Sequence, residues 1–293
     1  MYRELYWLLR LYRDVQRQLY DYSALIMKGI NIQITAECDL RCPWCIEEES
    51  LCEHSGVITK QNLERLMCNI VKEKYDMVSL QGGEPLLYPE HLLEIITAIR
   101  KELPHTKIQI LTNGTHLTEE LVTIFNDINA HLVISLEAEG YKGIKFLINN
   151  AKEPEKIIQN INALRSKQIR SVAKDITNFA QDALMLHVLF PRSIIEVTPD
   201  FNKMVSFTES DIQGMKKEIL KIKQKSPDVK NWLLIPRAFY EHCVNQSYKY
   251  LFAEDKIIND CPNKIPSGCA ILTRSMPCGI YEKYRQAVKE TLE

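Results

Sequence analysis

Glycine and proline are scarce in this chain, 10 and 12 among 293 residues. That scarcity argues against long flexible linkers and low-complexity tails. Neither sign of charge is in excess: 37 Lys+Arg stand against 38 Asp+Glu, for a formal net charge of -1. A near-neutral chain has no default attraction to a nucleic-acid backbone, so no nucleic-acid partner is expected. No apolar run reaches the length of a membrane span. The first turns of the chain are broken by Arg3, Glu4, Arg10, Arg13, Asp14, Arg17 and Asp21, so neither a membrane segment nor a secretory leader is expected. What is present is 45% hydrophobic and 26% charged, a balance that can bury a real core. The 9 cysteines, with no secretory segment ahead of them, point to a reducing cytoplasm and metal-bound thiols over a disulfide framework.

Three of those thiols, Cys38, Cys42 and Cys45, stand at C-x3-C-x2-C spacing inside E-C-D-L-R-C-P-W-C-I-E, from Glu37 to Glu47. Soft thiolates favour zinc or iron–sulfur. A structural zinc takes four protein ligands, as do most iron–sulfur electron carriers. Three cysteines leave one metal position open, which is what chemistry needs; zinc or inert thiols remain the plainer alternatives. The surroundings add a second pattern. Ile30 to Thr35 alternates as a strand does, and Met77 to Gln81 reads as a second strand running into Gly82-Gly83-Glu84-Pro85.

A strand, the three-cysteine loop, then a strand ending in G-G-E-P: in this order the sequence resembles the radical S-adenosylmethionine (radical SAM) superfamily, over about residues 30–225. The resemblance implies a [4Fe-4S] cluster on Cys38, Cys42 and Cys45. It implies S-adenosylmethionine on the open iron, and cleavage of that cofactor to a 5′-deoxyadenosyl radical that abstracts a substrate hydrogen. A reducing electron donor such as flavodoxin or ferredoxin is implied with it. The resemblance also implies cofactor contacts. Trp44, just before the third cysteine, would lie near the adenine, the alternative being a cap on the core. Gly82 and Gly83 would let backbone approach the methionine end, with Glu84 as ligand or as structural anchor. Ser135 would reach the ribose or carboxylate, and Asn113 holds a similar rim position. Arg170 is a candidate partner for the cofactor carboxylate. No histidine receives a catalytic role.

Along the chain, apolar residues from Leu5 to Leu25 recur at helical spacing, giving an N-terminal helix over 1–28. Strands are expected at 30–35, 77–81, 107–112, 131–136, 168–176 and 193–198, each followed by a helix. The helices open at Thr59, Pro89, Thr118, Pro154, Asn178 and Thr208. Cys68 is expected to pack on the apolar side of the first of them. Six apolar strands alternating with helices imply an α/β fold with a parallel sheet. Right-handed crossovers curl it into a partial (β/α)6 barrel over 29–225, which the resemblance implies as well. In such folds ligands sit beyond the carboxyl ends of the strands, where the candidate residues of the first four strands fall.

The remaining stretch, 226–293, is a small cysteine-rich extension. Cys243, Cys261, Cys269 and Cys278 lie among Pro262, Pro266, Gly268 and Pro277. This resembles the auxiliary-cluster extensions called SPASM or twitch domains, without the longer C-x2-C-x5-C-x3-C run of a full SPASM domain. Four thiolates suit a second [4Fe-4S] cluster, with unmetallated or zinc-bound thiols as the alternative. The expected activity is radical modification of a ribosomally made peptide. The alternatives are dehydrogenation or other modification of a small molecule, and a non-catalytic iron–sulfur or zinc-binding protein.

Overall fold

Apolar residues on alternate strand positions set the architecture. The computed structural model describes residues 28–42, 45, 56–136, 153–173, 179–199, 247–251 and 255–259, with scattered helical positions between 210 and 224. Six strands, β1 Gly29–Gln33, β2 Met77–Gln81, β3 Lys107–Thr112, β4 His131–Ser135, β5 Lys167–Ala173 and β6 Ile194–Pro199, lie parallel in sequence order. Helices α1 Lys60–Glu73, α2 Pro89–Glu102, α3 Glu119–Asp127, α4 Pro154–Ala163 and α5 Phe179–Leu189 connect them. The helix starts are locally encoded. Thr59 accepts from the N–H of Asn62 and Thr118 from that of Leu121, satisfying donors that the first turn leaves orphaned. Pro89 and Pro154 open their helices, where a missing N–H costs nothing.

One face of the sheet carries Ile30, Ile32, Val78, Leu80, Ile108, Ile110, Leu132, Ile134, Ile169 and Ile195. These interlock with Leu63, Leu66, Ile70, Ile95, Ile99, Phe125, Ile161 and Leu186 from the helices. Each such side chain contributes about 1.5–3 kcal/mol on burial. Side chains alternate across a strand, so the intervening residues face the other way, into the concave side of the curled sheet. The helices that cross between strands pack on the apolar face, as parallel crossovers require.

The sheet continues beyond the six expected strands. β7 Ser247–Leu251 pairs parallel with β1, Gly29 opposite Ser247 and Gln33 opposite Leu251. β8 Lys256–Asn259 returns antiparallel to β7, giving the order β6-β5-β4-β3-β2-β1-β7-β8. The hairpin comes from the stretch read as a separate extension, yet it covers the open edge of β1. It turns at Asp255, whose φ of 47° is left-handed. The Asp255 carboxylate accepts from the buried Tyr250 hydroxyl at 2.7 Å and from Arg65 on α1. The fifth strand is described over Lys167–Ala173, and the rest of the expected stretch to Ile176 lies outside the described residues.

Cys68 departs from expectation: it is exposed. The buried stripe of α1 is Leu63, Leu66 and Ile70. Two positions from both Leu66 and Ile70, at 100° per residue, Cys68 turns to the opposite side. The expected N-terminal helix and Asn178 lie outside the described residues. Among the described residues no helix is long and apolar enough to cross a membrane.

Candidate functional site

The loop that carries the three thiols leaves the head of β1 and is closed at its base by polar contacts. Thr35 bridges Val57, and its hydroxyl donates to the carbonyl of Gly56 at 2.7 Å. Glu37 accepts from the Gly56 N–H at 2.6 Å and from the Tyr88 hydroxyl at 2.5 Å. Those two donors, Tyr88 first, hold the Glu37 carboxyl below its usual range and keep it ionised. The Tyr88 phenol is raised in turn. Entry and exit of the loop are thus fixed to each other and to the segment ahead of α2.

Gly82 and Gly83 follow β2 where two backbones press together. A Cβ on Gly82 would lie 2.3 Å from the Thr35 carbonyl oxygen, and one on Gly83 would lie 2.0 Å from that of Glu37. The Gly83 N–H donates to Thr35 O at 2.8 Å, and the Glu84 N–H to Glu37 O at 2.7 Å. The sequence reading gave the missing side chains to an approaching ligand. In the structure the residues just ahead of Cys38 fill that space.

Glu84 is 0% exposed. It accepts from Leu86 N at 2.8 Å, the Thr112 hydroxyl at 2.7 Å and Asn113 N at 2.6 Å. Burial pushes its carboxyl up to about 7 against the pull of those donors. With both oxygens engaged, it ties the exit of β2 to the exit of β3, as the anchor alternative requires. Asn113 donates through its side-chain amide to Asp39 at 2.7 Å. The Thr115 hydroxyl donates to the other Asp39 oxygen at 2.7 Å, and His116 lies 3.3 Å from it. Asp39, between the first two cysteines, therefore lashes the thiol loop to the loop after β3.

Cys38, Cys42 and Cys45 are half-buried and not in disulfides, with the Cys45 N–H turned onto the Cys42 carbonyl at 3.0 Å. Among the described residues no three His, Cys, Asp or Glu side chains converge to metal-ligand distances. The thiols are brought to one loop and not to one point. Burial, with the nearby charges of Asp39, Glu84 and Cys45, pushes the Cys38 thiol up to about 11, while the Leu40 N–H at 3.4 Å pulls the other way. Such a thiol stays protonated until a metal displaces the proton. A sulfur donor set on one loop, with an N–H aimed at Cys38 Sγ, fits an iron–sulfur cluster with one iron left open. At the head of β4, exposed Ser135 lies in register with half-buried Arg170, midway along β5. Trp44, Cys243, Cys261, Cys269 and Cys278 lie outside the described residues. Sequence reasoning passed over Thr35, Glu37, Asp39, Tyr88 and Thr112. The available signal was a carboxylate on each side of Cys38.

Comparison with known proteins gives the same direction. The family profile described as Radical SAM superfamily matches residues 32–179, half of the chain. Molybdenum cofactor biosynthesis protein 1 of Bos taurus is 26% identical over 197 residues, covering 61% of this chain and 31% of that protein. GTP 3',8-cyclase of Listeria monocytogenes serovar 1/2a is 30% identical over 142 residues, covering 46% and 40%. The chain thus spans about a third of the first of these relatives and less than half of the second. Among solved structures, native anSMEcpe with bound AdoMet and a peptide superposes at a TM-score of 0.59 and 14% identity, over 90% of this chain and 83% of that one. Streptococcus suis SuiB bound to its precursor peptide SuiA superposes at 0.51 and 15%, over 73% and 51%. These two likenesses speak to the fold alone.

Proposed function

The chain belongs to the radical SAM superfamily of enzymes, and from that premise we propose that Cys38, Cys42 and Cys45 hold its [4Fe-4S] cluster and that its substrate is a ribosomally made peptide. The observation that carries the site is the docking of the Thr35–Glu37 backbone on Gly82–Glu84, which sets the thiol loop against the exit of β2. When bound, the cluster and S-adenosylmethionine supply an electron that cleaves the cofactor and a carbon radical that takes a hydrogen atom from substrate. The chain's own part is to bind and orient. Glu37 and Asp39 hold the thiol loop from both sides of Cys38. The backbone at Gly82–Glu84 and the side chains of Asn113, Ser135 and Arg170 edge the rim where the cofactor's amino, ribose and carboxylate groups are expected, with Trp44 for the adenine. A flavodoxin or ferredoxin is the class of electron donor, and the cytoplasm the compartment, that such thiols call for.

A peptide substrate is supported by the fold's likeness to the peptide-bound anSMEcpe and SuiB structures. A small-molecule substrate is the second reading, favoured by the sequence identity to GTP 3',8-cyclases. The non-catalytic reading has no support beside superfamily membership. Under anaerobic reduction with S-adenosylmethionine, the protein is expected to form 5′-deoxyadenosine. The Cys38→Ala/Cys42→Ala/Cys45→Ala variant is expected to form none, and retained formation there would overturn the ligand assignment.

The division into 1–28, 29–225 and 226–293 is kept within this proposal, with Cys243, Cys261, Cys269 and Cys278 on a second, auxiliary [4Fe-4S] cluster. The β7–β8 hairpin supports it. Tyr248 lies opposite Asn259, so the start of β7 and the end of β8 stand at one end of the hairpin. In the sequence, Cys243 stands four residues before Ser247 and Cys261 two after Asn259. That end of the hairpin is level with the foot of β1, while the three-thiol loop leaves from its head.

A further inference from the structure

The concave face of the sheet is polar where a filled barrel interior is ordinarily branched and apolar. Two tiers cross it. Gln33 and Gln81 are register partners on β1 and β2, immediately below the segments that carry the thiol loop and the glycines. One tier deeper, about 7 Å along the strands, Asn31 pairs with Ser79 and Ser79 with Gln109. Gln33 is only 4% exposed, yet its side-chain amide has no hydrogen-bond partner among the described residues. The same holds for the half-buried amides of Gln81 and Gln109. None of these amides is sealed away from solvent, so all three remain open to hydrogen-bond with a molecule entering the concave face.

The described side chains of these tiers are neutral. His131, in register with Gln109, has its pKa lowered by burial, which favours the uncharged ring. Among the described side chains, charge returns with exposed Lys107 at the foot of β3 and half-buried Arg170 midway along β5. A triphosphate calls for clustered cations. A primary amide offers one acceptor and two donors, matching the C=O and N–H of a peptide bond. Partners on neighbouring strands stand about 4.8 Å apart, so two amides can engage one extended segment together.

We infer that Gln33, Gln81 and Gln109 form the substrate-recognition floor and bind the backbone amides of a neutral polypeptide segment. This rests on the peptide reading of the preceding section. The test uses the full-length, cluster-loaded protein, S-adenosylmethionine and reductant. The probe is a fully randomised, N-acetylated and C-amidated peptide pool built from deuterated residues, with deuterated GTP as the contrasting probe. Deuterium should pass from the pool into 5′-deoxyadenosine. It should pass at least about ten-fold more slowly in Gln33→Leu/Gln81→Leu, the loss expected when buried hydrogen-bonding groups go unmatched. The cluster's absorbance reports folding of the variant. If leucine is not tolerated there, Gln33→Glu keeps the shape, removes the amide donor, and should give the same loss. Transfer from the pool that is unchanged in folded variants overturns the recognition floor and leaves the peptide reading standing. Transfer from GTP alone, or from neither probe, overturns both.

Discussion

A methyl group at Gly83 would sit 2.0 Å from the carbonyl oxygen of Glu37, one residue ahead of the first thiol. Backbone cannot yield there as a flexible side chain would. Gly83→Ala is therefore expected to lower stability by about 1–3 kcal/mol and to reduce iron retention, measured by thermal unfolding and iron analysis. A variant with normal iron content and weakened S-adenosylmethionine binding would return the glycine to the ligand. Glu84 makes a second residue-scale prediction. Its carboxyl ordinarily titrates near 4.5 and in the folded chain at about 7, so between those values the native state holds more proton than the unfolded one. Stability should then fall as pH rises through that window, by about 3 kcal/mol. Glu84→Gln starts lower, because its NH2 faces the Asn113 N–H, but it should stay flat with pH. Denaturant unfolding at pH 4.5 and 7 should show the two curves converging, and parallel curves would refute the burial account. Cys38, Cys42, Cys45 and the glycines stood out in sequence because their spacing is rare. Glu37 and Asp39 did not, because a carboxylate's partner is known only once the chain has brought Gly56, Tyr88, Asn113 and Thr115 to it.

Among the elements, the hairpin β7–β8 is held to β1 along β7, and Asp255 adds two further ties. Asp255→Ala removes the acceptor for both Tyr250 and Arg65 and leaves a left-handed residue without the local bonding that helps aspartate there. A loss of about 1–3 kcal/mol is expected. Faster amide exchange should be confined to 247–259 and the facing edge of β1; unchanged exchange in the hairpin would refute the tie. The six strands of the barrel were legible because short Val-, Ile- and Leu-rich runs stand between cap and turn residues. β7 was not, since S-Y-K-Y-L has the period of a strand but its pairing with β1 is set by a contact across most of the chain. Starts were less legible than elements: β1 begins at Gly29, one residue ahead of the expected Ile30, because a glycine has no side chain to show the alternation.

For the molecule as a whole, the sheet is greasy toward its helices and amide-lined within, with the three-thiol loop at its head. About eight irons per chain are expected, four in each cluster. Cys269→Ala/Cys278→Ala should lose about half of them. A wild-type content near four, with the tail thiols open to alkylation in the anaerobic native protein, would remove the second cluster. The position of β1 also bears on how the protein is made. It is the first described strand, and its partner on one side is the last parallel one, more than two hundred residues later. At about 5–20 residues per second, a ribosome leaves that edge of β1 uncovered for roughly 10–40 s. For that interval the nascent chain displays an unpaired, apolar-backed strand, the kind of edge that recruits a foreign strand. The cell must shelter it, or fill the thiol loop beside it, before the final hairpin arrives.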